Sequence, residues 1–170
     1  MPKAKRVGVL RDSKDPTWGD DLAVMAPAAD ALGLTLVFAD FSDAASLDSA
    51  ITRLIEAHVD AIYPGSANAP VALYANGRIF EQTNRAHLPV FSSWVGSADR
   101  GALFVYAGSY VARMRRQAQW IDKILRGAKP AELPVEQVTE VEFIVNTKSA
   151  RALGITIPPA VLLRADRIIE

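Results

Sequence analysis

Five short apolar runs separated by helical patterns constrain this chain more than any other feature. The runs are Lys5–Leu10, Leu34–Ala39, Asp60–Tyr63, Leu88–Ser92 and Ala102–Tyr106. Between them lie an alanine-rich stretch, Thr17–Leu32, closed by Gly33, a second from Ser46 to about His58, and a third from Asn68 to about Arg85. Strands joined through helices pair in the same direction, because the chain returns along the helix to the edge it left. A parallel sheet is buried on both faces, so the helices must divide between them. Right-handed crossovers then follow. The expected fold is α/β, a doubly wound parallel sheet. Pro27 sits inside the first helical stretch, where it costs ~3 kcal/mol if uncompensated. Ser46 is expected to cap the second helix, with Leu47, Ile51, Leu54 and Ile55 on its buried side. Asn68 is expected to cap the third, with Pro70 tolerated in its first turn.

A sharp turn at Ala107-Gly108 should lead from the fifth strand into a long helix, Ser109–Arg126. Val111, Met114, Ala118, Ile121 and Leu125 recur at spacings of three and four and form one stripe, widened by Trp120 and Ile124. Arg113, Arg115, Arg116, Lys123 and Arg126 take the other side, and Gly127 suits a left-handed stop. A face this broad needs a cover, and the expectation is that the cover lies outside this chain. An exposed stripe of this kind is an association surface. A homodimer, two-fold, in which Ser109–Arg126 packs against or swaps with its mate, is the expected consequence. Beyond Gly127 the character changes. Ala128–Pro134 reads as an extended tether, Thr139–Val145 alternates like a strand with one buried face, and Asn146 or Thr147 opens a short helix ending at Gly154. A final segment covers Ala160–Ile169.

Composition narrows the function classes. Nineteen basic residues balance nineteen acidic ones, which removes the polycationic signature of nucleic-acid or anionic-lipid binding. With no cysteine there is no disulfide, thiolate catalysis or cysteine-based zinc site. His58 and His87 both lie just before strands, where two histidines make no metal site. No cofactor is expected. The chain lacks a Gly-x-Ser-x-Gly elbow and a glycine-rich phosphate loop, so an α/β enzyme is only a remote alternative. Val7–Leu10 is too short for the core of an export signal, and no apolar stretch approaches the ~20 residues of a membrane span.

The tail carries a resemblance. Gly127-Ala128-Lys129-Pro130-Ala131-Glu132-Leu133-Pro134-Val135-Glu136-Gln137, the stretch from Phe143-Ile144-Val145-Asn146-Thr147-Lys148 to Gly154-Ile155-Thr156-Ile157-Pro158-Pro159, and Leu163-Arg164-Ala165-Asp166 resemble the C-terminus of the ABC-transporter substrate-binding family. That family includes bacterial tryptophan- and tyrosine-binding uptake lipoproteins. Gly101-Ala102-Leu103 and Tyr106 extend the likeness upstream. The resemblance implies a type-I periplasmic-binding-protein-like single lobe, the second of two. Residues 1–108 would be the α/β lobe, 109–138 a crossover helix and tether packing on a first lobe, and 139–170 a strand-helix tail returning to the lobe. It also implies a non-enzymatic binder of a small organic solute, an amino acid or carboxylate, working with an ABC permease. A periplasmic location is implied too, whereas the chain as written reads as cytoplasmic. A homodimeric cytoplasmic small-molecule sensor is the alternative.

In an open parallel sheet, ligands bind beyond the carboxyl ends of the strands. The exit loops there carry Ser13, Trp18, Ser66, Asn68, Ser93, Trp94 and Tyr106, the aromatic walls and sparse polar groups of a small-molecule cleft. Trp94 can stack on a planar ligand group, although Trp18 and Trp94 would serve equally as loop anchors. Ser66 and Asn68 precede a helix N-terminus suited to a carboxylate. In the amino-acid binders an acidic residue beside this asparagine looks like the partner of the ligand's amino group. Here that neighbour is Ala67, which leaves the role to Asp12 or Asp99.

Overall fold

A computed structural model describes residues 4–65, 77–136 and 139–170. Its strands are β1 (Arg6–Asp12), β2 (Thr35–Phe41), β3 (Ala61–Tyr63), β4 (Phe91–Ser92), β5 (Phe104–Gly108), β6 (Val141–Asn146) and β7 (Arg167–Ile169). They form two ladders, β2-β1-β3 and β4-β5-β6-β7. A bridge between Ile62 and Val90 joins the ladders, and the Ile62 N–H donates to the Pro89 carbonyl at 2.9 Å. Every pairing is parallel except β5 with β6. The doubly wound parallel sheet expected from the alternation is present.

The described helices are α1 (Trp18–Ala31), α2 (Ala44–Glu56), α3 (Arg78–Arg85), α4 (Tyr110–Leu125), α5 (Thr147–Ala152) and α6 (Pro159–Leu162), with a 3₁₀ turn at Val95–Arg100. Leu47, Ala50, Ile51 and Leu54 of α2, Ile79 and Phe80 of α3, and Ala98 of the 3₁₀ turn share one core with Leu10, Ile62, Val90, Val105 and Ile144 of the sheet. The β1→β2 and β2→β3 connections run in opposite directions across the sheet, so right-handedness sends α1 to the other face. There α1 buries Trp18 and Ala29 and retains Pro27 within a continuous helix.

Three expectations differ from the structure for identifiable reasons. Ser46 is not the cap of α2. Asp43 is, its carboxylate accepting the Ser46 N–H at 2.8 Å while Ser46 Oγ accepts the Asp43 N–H at 3.0 Å, a reciprocal capping box. The strand before α4 does not turn at Ala107-Gly108 but runs through both, because Glu142 and Val141 of β6 pair with them. β6 does not alternate, since Ile144, Val145 and Asn146 are all buried between β5 and β7. Val95–Arg100 forms a 3₁₀ turn that buries Ser97 and Ala98. His58 and His87 are exposed and follow α2 and α3 in the left-handed conformation (φ 51° and 54°).

Asn146 ties the tail to the lobe. Its side chain accepts the Ser149 N–H at 2.8 Å, capping α5, and donates to the Ala98 carbonyl at 2.8 Å, all in a buried setting. Ser149 Oγ donates to the Gly101 carbonyl at 3.0 Å. α4 behaves differently. Ser109 caps it by accepting the Ala112 N–H at 3.3 Å, yet none of its residues is buried. Val111, Ile121 and Leu125 of the stripe are 53%, 58% and 81% exposed.

Two outcomes follow. Asn146→Ala removes the cap of the Ser149 N–H and leaves the Ala98 carbonyl with only the Gly101 N–H at 3.3 Å, and is expected to cost about 1–2 kcal/mol in urea unfolding. Asp40, Asp43 and Asp60 are all held below the usual carboxylate range, chiefly by hydrogen bonds from Arg11, from the Ser46 backbone and from the Arg6 backbone respectively. Their contribution to stability is therefore complete above the unfolded carboxylate pKa of about 3.9 and is lost as pH falls through the lower folded values. Urea midpoints should drop between about pH 5 and pH 2.5, and Asp60→Asn, weaker at pH 7, should flatten that drop.

Candidate functional site

The carboxyl ends of β1 to β5 form one rim, and its two halves are built differently. On the β1–β2 side the charged groups are used up holding loops. Arg11 and Asp40 sit opposite each other in register and form a two-point ion pair at 2.5 and 2.7 Å. That hydrogen bonding raises the Arg11 pKa and lowers that of Asp40. Asp12, buried, accepts the Lys14 N–H at 2.9 Å, and Lys14 Nζ donates to the Ser42 carbonyl at 2.9 Å. Asp15 takes the backbone and hydroxyl of Thr17 at 2.8 and 2.7 Å. Ser13 is exposed on this loop. Trp18 is 8% exposed and packs on Gly65, whose φ of +78° and absent side chain both matter, since a Cβ there would stand 2.8 Å from Trp18 Cζ2. Trp18 is a loop anchor.

The β4–β5 side is open. A cavity of about 510 Å³ lies between the loop after β4 and the foot of α4, lined by Ser93, Trp94, Ser109, Tyr110, Arg113 and Glu142 among others. Ser92 Oγ accepts the Trp94 N–H at 3.1 Å, and the Trp94 carbonyl accepts Ser97 Oγ–H at 2.6 Å, which fixes the loop. The indole rests on Gly96, where a Cβ would come within 2.4 Å of Cζ2, and the Arg100 guanidinium stands 5.5 Å from the ring centroid. Ser93 Oγ lies 3.4 Å from Tyr63 Oη. Arg113 lies 5.3 Å from the Tyr110 ring centroid, so the cation sits at the cavity wall on an aromatic support. Glu142 reaches the same wall because β6 pairs it with Ala107. A second cavity of about 490 Å³ separates α4 from the tether, with Arg115, Trp120, Glu136 and Glu140 on its walls and Arg116 paired to Glu136 across it.

The structure thus brings Ser93 and Trp94 together and adds Tyr110, Arg113 and Glu142, which sequence reasoning missed. The pattern along α4 places Arg113 only on the side opposite the apolar stripe. Glu142 depends on a strand pairing more than thirty residues distant, which no local signal reveals. Ser13 and Trp18 do not line this cavity. Tyr106 sits on the outer face of β5, 63% exposed, its ring 6.3 Å from that of Phe143. Ser66 and Asn68 lie outside the described residues. Asp99, one of two carboxylates considered for a ligand amine, meets Arg167 at 3.4 Å.

The carboxyl rim of an α/β sheet is where such folds place small-molecule clefts, and here it carries a one-sided cavity of aromatic and charged groups. The chain belongs to the ABC transporter substrate binding protein family, whose sequence pattern matches residues 1–169. It is 23% identical over 152 residues to a tyrosine-binding protein of Clostridioides difficile, a match covering 89% of this chain and 43% of that protein. Its fold superposes on a conserved domain protein from Vibrio cholerae with a TM-score of 0.89 and 27% identity, covering 99% of this chain and 56% of that one. A Streptococcus ABC domain in complex with L-Trp gives a TM-score of 0.87 at 25% identity, with 99% and 58% coverage. The chain therefore spans about half the length of these relatives and corresponds to a single periplasmic-binding-protein-like lobe. Members of the family are solute-binding and normally extracytoplasmic. Among the described residues no helix is long and apolar enough to cross a membrane.

Gly96→Ala tests the Trp94 seat. The added methyl would clash with the indole and is expected to turn it, costing about 1–3 kcal/mol. Far-UV circular dichroism should be unchanged while the tryptophan emission maximum moves, and an unmoved emission maximum would mean that Trp94 is not seated on Gly96.

Proposed function

We infer that this lobe supplies one wall of the cleft of an ABC importer's solute-binding component, holding a small organic solute without chemistry. The observation that carries the reading is the cavity in which Trp94 shares a wall with a cation, Arg113, and an anion, Glu142. A zwitterionic amino acid with a flat side chain matches all three. Its carboxylate goes to Arg113 and the amides at the start of α4, its ammonium to Glu142, and its ring to Trp94. Glu142 takes the part that Ala67 cannot, while Asp12 and Asp99 are engaged elsewhere. The tyrosine-binding relative and the neighbour holding L-Trp support this ligand class. Ser66 and Asn68, which lie outside the described residues, remain candidates for the same ligand, and an ABC permease is the partner of the assembled receptor. Catalysis has no support in the described site, which offers no nucleophile with a base beside it.

A cleft of this kind closes around its ligand from two sides. If the walls of a micromolar site share its ~8 kcal/mol equally, one wall retains a Kd of about 1 mM. Calorimetry and thermal shift with L-tryptophan, L-tyrosine, L-leucine and small carboxylates should show millimolar binding that prefers the aromatic amino acids. Trp94→Ala and Glu142→Gln should each weaken it about tenfold or more. A flat response to the whole panel would sink the reading.

A further inference from the structure

Buried polar side chains are costly unless each finds a partner, so the place where a chain concentrates them is informative. Among the described residues the buried ones are Asp12, Thr83, Ser92, Ser97, Asn146 and Ser149. Asp12 and Thr83 serve their own neighbourhoods, the loop after β1 and the preceding turn of α3. The other four surround one short stretch, the loop and 3₁₀ turn between Ser92 and Gly101. That stretch holds Trp94 at the rim.

The Trp94 backbone is gripped on both sides, its N–H by Ser92 Oγ at 3.1 Å and its carbonyl by Ser97 Oγ–H at 2.6 Å. The Ser97 N–H reaches the same carbonyl at 3.1 Å. Behind Ser97 the turn is fastened to the tail. Asn146 donates to the Ala98 carbonyl at 2.8 Å and Ser149 to the Gly101 carbonyl at 3.0 Å, each across 48 residues of sequence. A loop held by apolar packing alone could slide, whereas this one cannot without unpairing a buried group. The strand that carries Asn146 also carries Glu142, four residues earlier and about 13 Å away along an extended chain. Glu142 stands in the cavity wall, while the Asn146 N–H donates to the Leu103 carbonyl at 2.9 Å, at the far end of the pairing with β5. One strand therefore sets the charged group directly and the ring through the turn.

We propose that Ser97 and Asn146 are positioning residues of the binding wall: Asn146 fixes the 3₁₀ turn from the tail, Ser97 passes that position to Trp94, and β6 thereby sets the spacing between the indole and Glu142. Neither residue lines the cavity. Their role rests on the amino-acid reading of that cavity, since Trp94 must be the ring that the ligand meets. Only stacking depends on this relay, so its loss falls on ligands with flat side chains.

Fluorotryptophan labelling gives separate fluorine resonances for Trp18, Trp94 and Trp120, with that of Trp94 identified by its absence in Trp94→Phe. Ser97→Ala and Asn146→Ala should each move or broaden the Trp94 resonance and leave that of Trp18 in place. In calorimetry each should weaken L-tryptophan about fivefold and L-leucine by no more than about twofold. Ser97→Cys, which keeps a weak donor, should fall between Ser97→Ala and the unaltered chain. The double variant should also lose about fivefold and not the product of the two losses, because both changes release one placement. Ile51→Val, which loosens the core under α2, should change none of these readouts. An unmoved Trp94 resonance overturns the proposal, as do equal weakening of both amino acids and a multiplied loss in the double variant. If Ser97→Ala fails to fold, Ser97→Cys and Asn146→Ala carry the same readouts. If the unaltered chain binds neither amino acid, the reading of the cavity fails, and the Trp94 resonance alone decides whether the relay exists.

Discussion

A parallel sheet must be kept dry on both faces, and the rest of this structure depends on how that requirement is met. Strands fed by right-handed crossovers place their helices according to the direction in which the chain moves across the sheet. Moving from β2 past β1 and onward to β5 keeps α2, α3 and the 3₁₀ turn on one side, where they build the main core. Only the step from β1 back to β2 uses the other side. Among the described residues the imbalance leaves α4 unburied and the aromatic side chains of β4, β5 and β6 partly exposed, and it also makes one half of the rim open. The cavity beside Trp94 exists because α4 departs from the sheet at Ser109 and does not fold down beside α1.

The tail repays part of that imbalance. β6 enters antiparallel beside β5, and β7 follows parallel to β6, so the sheet gains two strands beyond the alternating pattern. Asn146 fastens this addition with one side chain used in both directions, accepting from Ser149 and donating to Ala98. A buried amide with both ends satisfied specifies a position, because any shift leaves a polar group unpaired. The same pairing carries Glu142 to the cleft wall and lets the Glu140 carbonyl accept the Ser109 N–H at 2.9 Å, so the tail both extends the lobe and fixes where α4 begins.

Much of this was legible in the residues, and the failures share a cause. Runs such as Val7–Leu10 and stripes such as Leu47, Ile51 and Leu54 announce themselves through local spacing, and strand order follows from the connections. What local spacing cannot carry is a partner far away in sequence. The end of β5, the burial of consecutive β6 residues and the place of Glu142 all come from one antiparallel pairing. The two tryptophans make the point at a finer scale. Both stand at the rim and both rest on a glycine, yet Trp18, opening α1, is sealed against Gly65 beneath the β1 loop while Trp94 on Gly96 lines an open cavity. Residue type and rim position are the same, and the packing around each ring separates anchor from wall.

Cavity wall and exposed helix stripe are also energetically one object. An isolated helix of sixteen residues is marginal in water, because most helix stability in proteins comes from packing an apolar face. The Ser109 cap and the exposed pair of Asp122 with Arg126 contribute only modestly. The Arg116–Glu136 pair, close to a third exposed or more on both sides, contributes on the same scale. Arg113 and Tyr110, which complete the binding wall, sit in the first turn of this helix. Covering the stripe of Val111, Ile121 and Leu125 therefore pre-orders the groups that meet the ligand. A ligand held between Trp94 and the first turn in return favours the ordered helix.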